Sequence, residues 1–402
     1  MKILWVNSDF LHPTTRGGQI RTLETLKRLH RRHEIHYAAL LRPSTRGLER
    51  SAEYCTKAYP VPHQAPPQFT PRFCRHVCES HFSKLPVAVL RYRSEGLKRQ
   101  VENLTRREKF DAIVCDFLFS APNIPDPGAA ILFQHNIESI IWKRHAEHAR
   151  TRLLRMYFQG QYERMLRYEE RMCQAVKRIV AVSEDDATTM QSLYGVATVA
   201  AVPTGVDLDY FAAPPNAPPP TTDLVFLGSM DWRPNIDAVR WFVAGILPLI
   251  RRRYPECSLT VAGRNPTAEV LRLAEADARI HVTGTVADVR PYLWDSAVSI
   301  VPLRIGGGTR LKIYEAMAAQ VPVVSTSIGA EGLDVHDGEN IVLADSPEVF
   351  AERCLALLGC AQARRRQSQA ALEMVSACYS WEAVSHKFEL LLADPSPNDS
   401  LP

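Results

Sequence analysis

The stretch RIGGGTRLKIYEAM, Arg304 to Met317, sets three consecutive glycines, a Thr, an Arg and a Lys ahead of an apolar-periodic run with a single acid, Glu315. Glycines without Cβ let backbone amides approach an anion closely, and the free N–H groups at the start of a following helix favour phosphate. Arg310 and Lys312 stand where the helix dipole would rather have acids, so an anionic ligand explains them better than helix stability does. Gly307, Gly308, Thr309, Arg310 and Lys312 are therefore candidate diphosphate ligands, against the plainer reading of a turn with solvated basic residues. Glu315 lies about one and a half turns into the helix. A carboxylate there can accept two hydroxyl hydrogen bonds, which suits a ribose diol; the alternative is a surface acid paired with Lys312 or Arg310.

The run is not a P-loop, because GxxxxGK[ST] is absent. A smaller glycine loop, RGGQIR at Arg16 to Arg21, follows the first strand region and lacks GxGxxG. Two such loops suggest a diphosphate held between two domains. Other groupings carry less. Asp207-Leu208-Asp209 spells a metal-binding DxD but lies at the approach to a proline-rich segment. His30, His33 and His36 straddle a helix end and the next strand and do not converge easily. Asp116, after DAIVC, has the place of a base in an inverting enzyme, yet reads more simply as a strand-end cap.

Short β-rich runs alternate with helical patterns through most of the chain. KILWV, EIHYAALL, DAIVCDF, AAILFQH and RIVAVS read as buried strands, and QIRTLETLKRLHRR as a helix with Ile20, Leu23, Leu26 and Leu29 on one face. After a proline-rich stretch from Gly205 to Asp223, the alternation restarts with LVFLGS, SLTVAG, IHVTG, VSIVPL, VPVVSTS and NIVLA between helices. The expected fold class is α/β, two Rossmann-like doubly wound domains with a cleft between them. The expected boundaries are 1–204 for the amino-terminal domain, 205–222 for a linker, 223–378 for the carboxyl-terminal domain and 379–402 for a terminal helix. Ligands of such sheets bind beyond the carboxyl ends of the strands, where both glycine loops fall.

The composition, 46% hydrophobic and 23% charged, is that of a globular protein. Charge is uneven: residues 1–195 hold 31 Lys and Arg against 20 Asp and Glu, and the remainder 17 against 24. No zinc-finger spacing, basic zipper or aromatic stacking signature accompanies the arginines, which argues against nucleic acid. Arg144, Arg150, Arg152, Arg155, Arg164, Arg167 and Arg171 recur along one predicted helix among Leu153, Leu154, Met156, Tyr157 and Phe158. That pattern fits either peripheral contact with an anionic membrane or a solvated helix face. Nine scattered cysteines suggest reduced thiols, and MKILWVNSDFLH breaks its apolar run at Asn7, too early for a secretory signal. The expected location is the cytoplasm, with peripheral attachment at the inner face of the membrane as the variant that the arginine helix adds.

In order and spacing, RGGQIRT, FQHNIES, AVSEDDATTM, VPTGVDLDYF, FLGSMDWRPNIDAVRWF, VAGR, GTVADVRPYL and VPLRIGGGTRLKIYEAMAAQVPVVST closely resemble the retaining nucleotide-sugar glycosyltransferases of family 4, with the GT-B fold. The resemblance covers nearly the whole chain. It implies that Gly17 and Gly18 approach the donor diphosphate, that Gly308, Thr309 and Arg310 hold it, and that Glu315 binds the ribose hydroxyls. Thr285 and Val286 would contact the nucleobase through backbone, with Gly263 and Arg264 at the neighbouring strand end. His135 matches the family's histidine near the transferred sugar, and Trp381 the start of a final helix that crosses back to the amino-terminal domain. Two departures stand out. Gly307 occupies the place where many members carry a first glutamate that contacts the donor sugar, and a backbone amide can substitute there. The loop GSMDWRPN offers Arg233 where many members pair an Arg with a Lys, so phosphate charge falls more heavily on Arg310, Arg233 and Lys312.

The activity implied is transfer, with retention and without metal or cofactor, of a sugar from a UDP- or GDP-linked donor to a carbohydrate or lipid-linked acceptor in polysaccharide or glycoconjugate biosynthesis. Arg310 and His135 would act at the reacting centre, the first on leaving-group charge and the second in placing the sugar. Rival readings are a GT-B nucleotide-sugar epimerase, and a catalytically silent nucleotide-sugar-binding subunit of a polysaccharide assembly, motivated by Gly307.

Overall fold

A computed structural model describes residues 1–14, 17–42, 47–64, 70, 75, 79–80, 83, 85–147, 149, 151–216, 218–305 and 311–393. The chain divides into two compact units, Met1–Pro203 joined by the stretch from Val384 onward, and Thr204–Ala383.

The amino-terminal unit is built on a seven-stranded sheet in the order β3-β2-β1-β4-β5-β6-β7. Its strands are β1 Lys2–Asn7, β2 Glu34–Leu41, β3 Lys57–Pro62, β4 Ala112–Asp116, β5 Ala130–Phe133, β6 Arg178–Ala181 and β7 Val199–Ala201. Every pairing is parallel. Parallel strands need crossovers, and helices such as Gly17–His30, Glu95–Arg107, Arg152–Ala175 and Glu184–Tyr194 supply them. The central strands are buried along their length, as the unbroken apolar runs of β1 and β5 require. β3, KAYPVP, escaped sequence reading because its two prolines cannot donate to a ladder; it is an edge strand, where that costs nothing.

The second unit repeats the plan with six parallel strands in the order β10-β9-β8-β11-β12-β13. These are β8 Thr222–Leu227, β9 Leu259–Ala262, β10 Ile280–Val282, β11 Ser296–Val301, β12 Val323–Ser325 and β13 Val342–Leu343. NIDAVRWFVAGILPLIRRR is helical but not uniformly so: Phe242–Ile246 widens to a π turn between the α segments Arg233–Trp241 and Leu247–Arg251. Pro248, with no N–H to give, follows at once.

The proline-rich stretch read from sequence as a linker is attached in part to this second unit. Val206 and Phe211 are buried in its core, the Phe211 carbonyl accepts from Trp294 Nε1 at 2.9 Å, and the Arg290 guanidinium lies 3.8 Å from the Tyr210 ring centre. Trp381–Leu392 is one helix divided between the units, up to Ala383 with the second and from Val384 with the first. Phe388 packs on Trp5 and Phe133, with ring centres 5.6 and 4.8 Å apart, and the Glu389 carboxylate meets His33 Nε2 at 2.7 Å. No helix among the described residues is long and apolar enough to cross a membrane.

Both sheets change direction at a switch point, β1/β4 in the first and β8/β11 in the second. Crevices at such points, outside the carboxyl ends of the strands, are where open parallel sheets take ligands.

Candidate functional site

Beside the switch point of the second sheet, β8 is followed directly by Gly228 and β9 by Gly263. Gly263 has φ +156°, and a Cβ on it would stand 1.8 Å from the Gly228 carbonyl oxygen, so only glycine lets these two strand ends close. Their loops are then tied together: Arg264 Nε donates to Ser229 Oγ at 2.9 Å, Ser229 Oγ to Asp231 Oδ1 at 2.6 Å, and Asn265 Nδ2 to Asp231 Oδ2 at 3.0 Å. The Asn265 N–H reaches Thr285 Oγ1 at 3.2 Å, which brings in the loop after β10 with Thr285 exposed and Val286 beside it. The hydrogen bonds on Asp231, with Arg264 nearby, hold its carboxyl below the usual range, so it stands ionised beside a guanidinium.

Lys312 and Glu315 come from the helix Leu311–Ala318, which buries Ile313, Tyr314, Ala316, Met317 and Ala318. Lys312 Nζ donates to Asn235 Oδ1 at 3.0 Å and lies 4.4 Å from the Phe226 ring centre. A Cβ on Gly228 would meet it at 2.9 Å, so the ammonium sits at the end of β8. Glu315 is half-buried one turn on. Burial pushes its carboxyl up, and Lys312 opposes that shift. Arg233 is exposed at the start of the helix after β8. Gly263, Arg264, Thr285, Val286 and Lys312 thus gather on one rim of one sheet. Gly307, Gly308, Thr309 and Arg310 lie outside the described residues.

The first sheet has a more elaborate switch point. The register of β1 on β4 sets Val6 opposite Cys115, and the next residues, Asn7 and Asp116, end the two strands side by side. Asp116, set aside from sequence as a cap, is buried at the centre of a network. Its Oδ2 accepts from Trp5 Nε1 at 2.9 Å, Asn7 Nδ2 at 2.7 Å and Thr22 Oγ1 at 2.7 Å. Its Oδ1 meets His135 Nε2 at 2.6 Å. The ring of His135 lies against Phe133 and Phe117, with centres 4.6 and 5.4 Å away. Phe117 adopts φ 70°, a conformation that costs a bulky residue on the order of 1–3 kcal/mol and is characteristic of functional sites.

Gly17 and Gly18 are exposed at the start of the helix Gly17–His30. A Cβ on Gly18 would stand 3.4 Å from His135 Nδ1, so the glycine loop and the histidine are neighbours. The helix is rotated from the face read in sequence: Ile20 is 45% exposed, whereas Arg21 and Thr22 are buried. Arg21 sits 5.7 Å from the Phe133 ring centre. Burial lowers its pKa to about 9, while Asp116 and Asp186 pull the other way, so it remains a cation at neutral pH. Sequence reasoning missed Arg21 although RGGQIRT contains it, because a buried guanidinium is legible only once its acids are in place.

Behind His135, the buried Glu169 carboxylate accepts from Gln134 Nε2 at 2.7 Å, Glu138 N at 3.0 Å and Ser139 N at 2.9 Å. It thereby caps the helix Glu138–Glu147 and fixes the FQHNIES segment. Glu138 is pushed up to about 8 by burial and by Glu169 nearby.

The remaining sequence candidates have local duties. Asp207 caps the helix Leu208–Phe211 through Tyr210 N at 2.9 Å. His33 bonds Glu389, His36 bonds Glu34 and Tyr59, and His30 faces Thr56, so the three histidines have separate partners.

Comparison with known proteins bears on both units. Residues 15–210 match the family model described as Glycosyltransferase Family 4, and residues 221–360 the one described as Glycosyl transferases group 1. An uncharacterized 44.6 kDa protein in the cps region of Klebsiella pneumoniae is 29% identical over 140 residues, 33% of this chain and 36% of that relative, so the match spans about a third of its length. Sucrose-phosphate synthase from Thermosynechococcus elongatus has a similar structure, with TM-score 0.68 at 17% identity over 97% of this chain and 98% of the other. HepE of Anabaena, solved with UDP and glucose, gives TM-score 0.63 at 12% identity over 98% and 100% of the two chains. Both family models and a GT-B fold shared over nearly the full length lead to one conclusion: the chain is a glycosyltransferase and belongs to family 4.

Proposed function

We propose that this glycosyltransferase moves a sugar, with retention, from a UDP- or GDP-linked donor to a carbohydrate or lipid-linked acceptor in polysaccharide or glycoconjugate synthesis, without metal or cofactor. The observation that carries the reading is the rim at the β8/β11 switch point, where the Lys312 ammonium stands at the end of β8 beside the Gly263–Arg264 and Thr285–Val286 loops. A cation among glycine-closed strand ends suits a diphosphate, and the half-buried Glu315 suits a ribose diol. The complexes of HepE with UDP and glucose, and the cps-region relative, support the donor and the pathway class.

In this reading the departing diphosphate takes the acceptor's proton as the sugar passes through an oxocarbenium-like state, so the protein needs no dedicated strong base. Its work is electrostatic and positional. Arg310 and the glycine-loop amides stabilise charge on the leaving group, with Lys312 and Arg233 in support, and loss of Arg310 costs about 2–4 kcal/mol of transition-state stabilisation. Gly17, Gly18 and His135 serve the donor from the amino-terminal unit. That unit also exposes Leu153 and Met156, at 77% and 72%, each directly after an arginine, Arg152 and Arg155. Such a basic and apolar helix end suits an anionic membrane surface carrying a lipid-linked acceptor.

A screen of sugar nucleotides for released UDP, GDP or ADP tests the reading. Turnover is expected with a UDP- or GDP-sugar, unchanged by a chelator and lost in Glu315→Ala and Arg310→Ala variants that still fold. Full activity in both variants removes the site assignment, and complete inhibition by chelator removes metal independence. Flotation with anionic but not neutral vesicles, abolished by Leu153→Asp with Met156→Asp, is the expected result for the membrane contact.

A further inference from the structure

Two cations flank the glycine run in sequence, Arg304 before it and Lys312 after it, and both are bonded to one helix, Arg233–Trp241. The helix answers them differently. Asp237 takes the Arg304 guanidinium with both carboxylate oxygens, at 3.1 and 2.6 Å, so that charge is paired within the chain. Asn235, two residues earlier, takes Lys312 Nζ with an amide oxygen at 3.0 Å. An amide holds an ammonium without adding a negative charge beside it.

Asn235 is buried, and chemistry fixes the orientation of its amide. The Ser229 carbonyl oxygen, 2.9 Å from Nδ2, can only accept and an ammonium can only donate, so the NH2 faces Ser229 and Oδ1 faces Lys312. A carboxylate of the same shape would neutralise the cation and set a second acceptor against the Ser229 carbonyl. Gly228 completes the arrangement. A Cβ there would stand 2.6 Å from Asn235 Nδ2 and 2.9 Å from Lys312 Nζ, so amide and ammonium both crowd the backbone just past β8. The Phe226 ring, 4.4 Å from Nζ, adds cation–π attraction, again without a counter-ion. A lysine that swings freely gives up rotamer entropy when it meets an anion; one already fixed by Asn235 has given up part of it on folding.

We infer that Asn235 is a positioning residue for donor binding: it fixes the Lys312 ammonium just past the end of β8 and leaves its charge to the diphosphate of the donor. The inference rests on the reading of this rim as the diphosphate site. Asn235 acts through Lys312 and not by touching the ligand.

The test is a double-mutant cycle in the full chain, read by calorimetry with UDP and with GDP. For the diphosphate that the wild type binds, Lys312→Ala and Asn235→Ala are each expected to lower affinity by on the order of 10-fold. Once Lys312 is replaced, adding Asn235→Ala should change affinity by less than about twofold, because nothing is left to position. An equal loss in both backgrounds makes Asn235 a support of its own loop and overturns the inference, as does full affinity in Asn235→Ala. Asn235→Asp separates geometry from charge: the ammonium keeps an acceptor and gains a counter-ion, and affinity is expected to fall at least as far as in Asn235→Ala. Wild-type affinity in Asn235→Asp overturns the need for a neutral anchor. Asn235→Ala leaves the Ser229 carbonyl with the Trp232 N–H at 3.4 Å, which favours folding. If it does not fold, Gly228→Ala carries the same comparison, since its methyl displaces the ammonium; a loss that vanishes in the Lys312→Ala background supports the inference, and an equal loss in both overturns it. The wild-type lysine 1H–15N spectrum decides independently, with the Lys312 signal identified by its loss in Lys312→Ala. A signal slowed in exchange is expected before ligand is added and should move with the diphosphate; its absence from the ligand-free protein overturns the fixed ammonium. Failure of the wider functional reading looks different and takes the inference with it: the wild type binds neither UDP nor GDP, whatever stands at position 235.

Discussion

Glu138 stands three residues after His135, buried and with no counter-ion among the described residues, and is pushed up to about 8 from 4.5. A carboxyl whose folded value is raised binds its proton more tightly in the native state. The stability it contributes is complete below its unfolded value and drains away as pH rises toward 8. Glu138→Gln is therefore expected to flatten the fall in unfolding free energy between about pH 5 and pH 8, by on the order of 3 kcal/mol at the upper end, as urea titrations at a series of pH values would show. Equal slopes in both proteins would remove this account. The residue scale was also where the sequence was least uniformly legible. Lys312 and Glu315 could be singled out as candidates because glycines, cations and one acid fall within a dozen positions of each other. Asp116 could not, since its meaning depends on Asn7 lying beside it across two paired strands, and nothing in a linear chain announces that register.

Among the elements, strands inside the two sheets were legible from their apolar runs, while the faces of helices were less so. The helix Gly17–His30 carries Leu23, Leu26 and Leu29 inward as its spacing says, yet it replaces Ile20 with Arg21 and Thr22 at the buried end. The switch-point carboxylate takes precedence there over one more apolar contact. A similar economy governs the last helix. Phe388 is fully buried against Trp5 and Phe133, and those two side chains flank Asp116 and His135 respectively. Phe388→Ala should cost about 3–5 kcal/mol of stability in the amino-terminal unit, and the Trp5 indole gives a fluorescence readout of that unfolding. An additional loss of kcat in the folded variant is expected, because the void opens directly behind the carboxylate's support; a destabilised variant with unchanged kcat would separate the two effects.

At the scale of the whole molecule, the two doubly wound plans followed from strand and helix alternation, but the assignment of two segments did not. Residues 205–222 lack periodicity, which makes them look like a tether, although Val206 and Phe211 are anchored in the second core. The helix from Trp381 looks uniform along its length, although Trp381 crowds Gly205 in one unit, where a Cβ would come within 2.6 Å of its ring, and Phe388 belongs to the other. Periodicity reports that a face is covered, never by what. That division bears on how the protein is made. The sheet of the amino-terminal unit leaves the ribosome first, yet the aromatic side chain that seals Trp5 and Phe133 is translated only after the entire second unit. Until then the nascent chain carries an unsealed apolar surface, so its early life is one of waiting, and of exposure to chaperones, rather than of domain-by-domain completion.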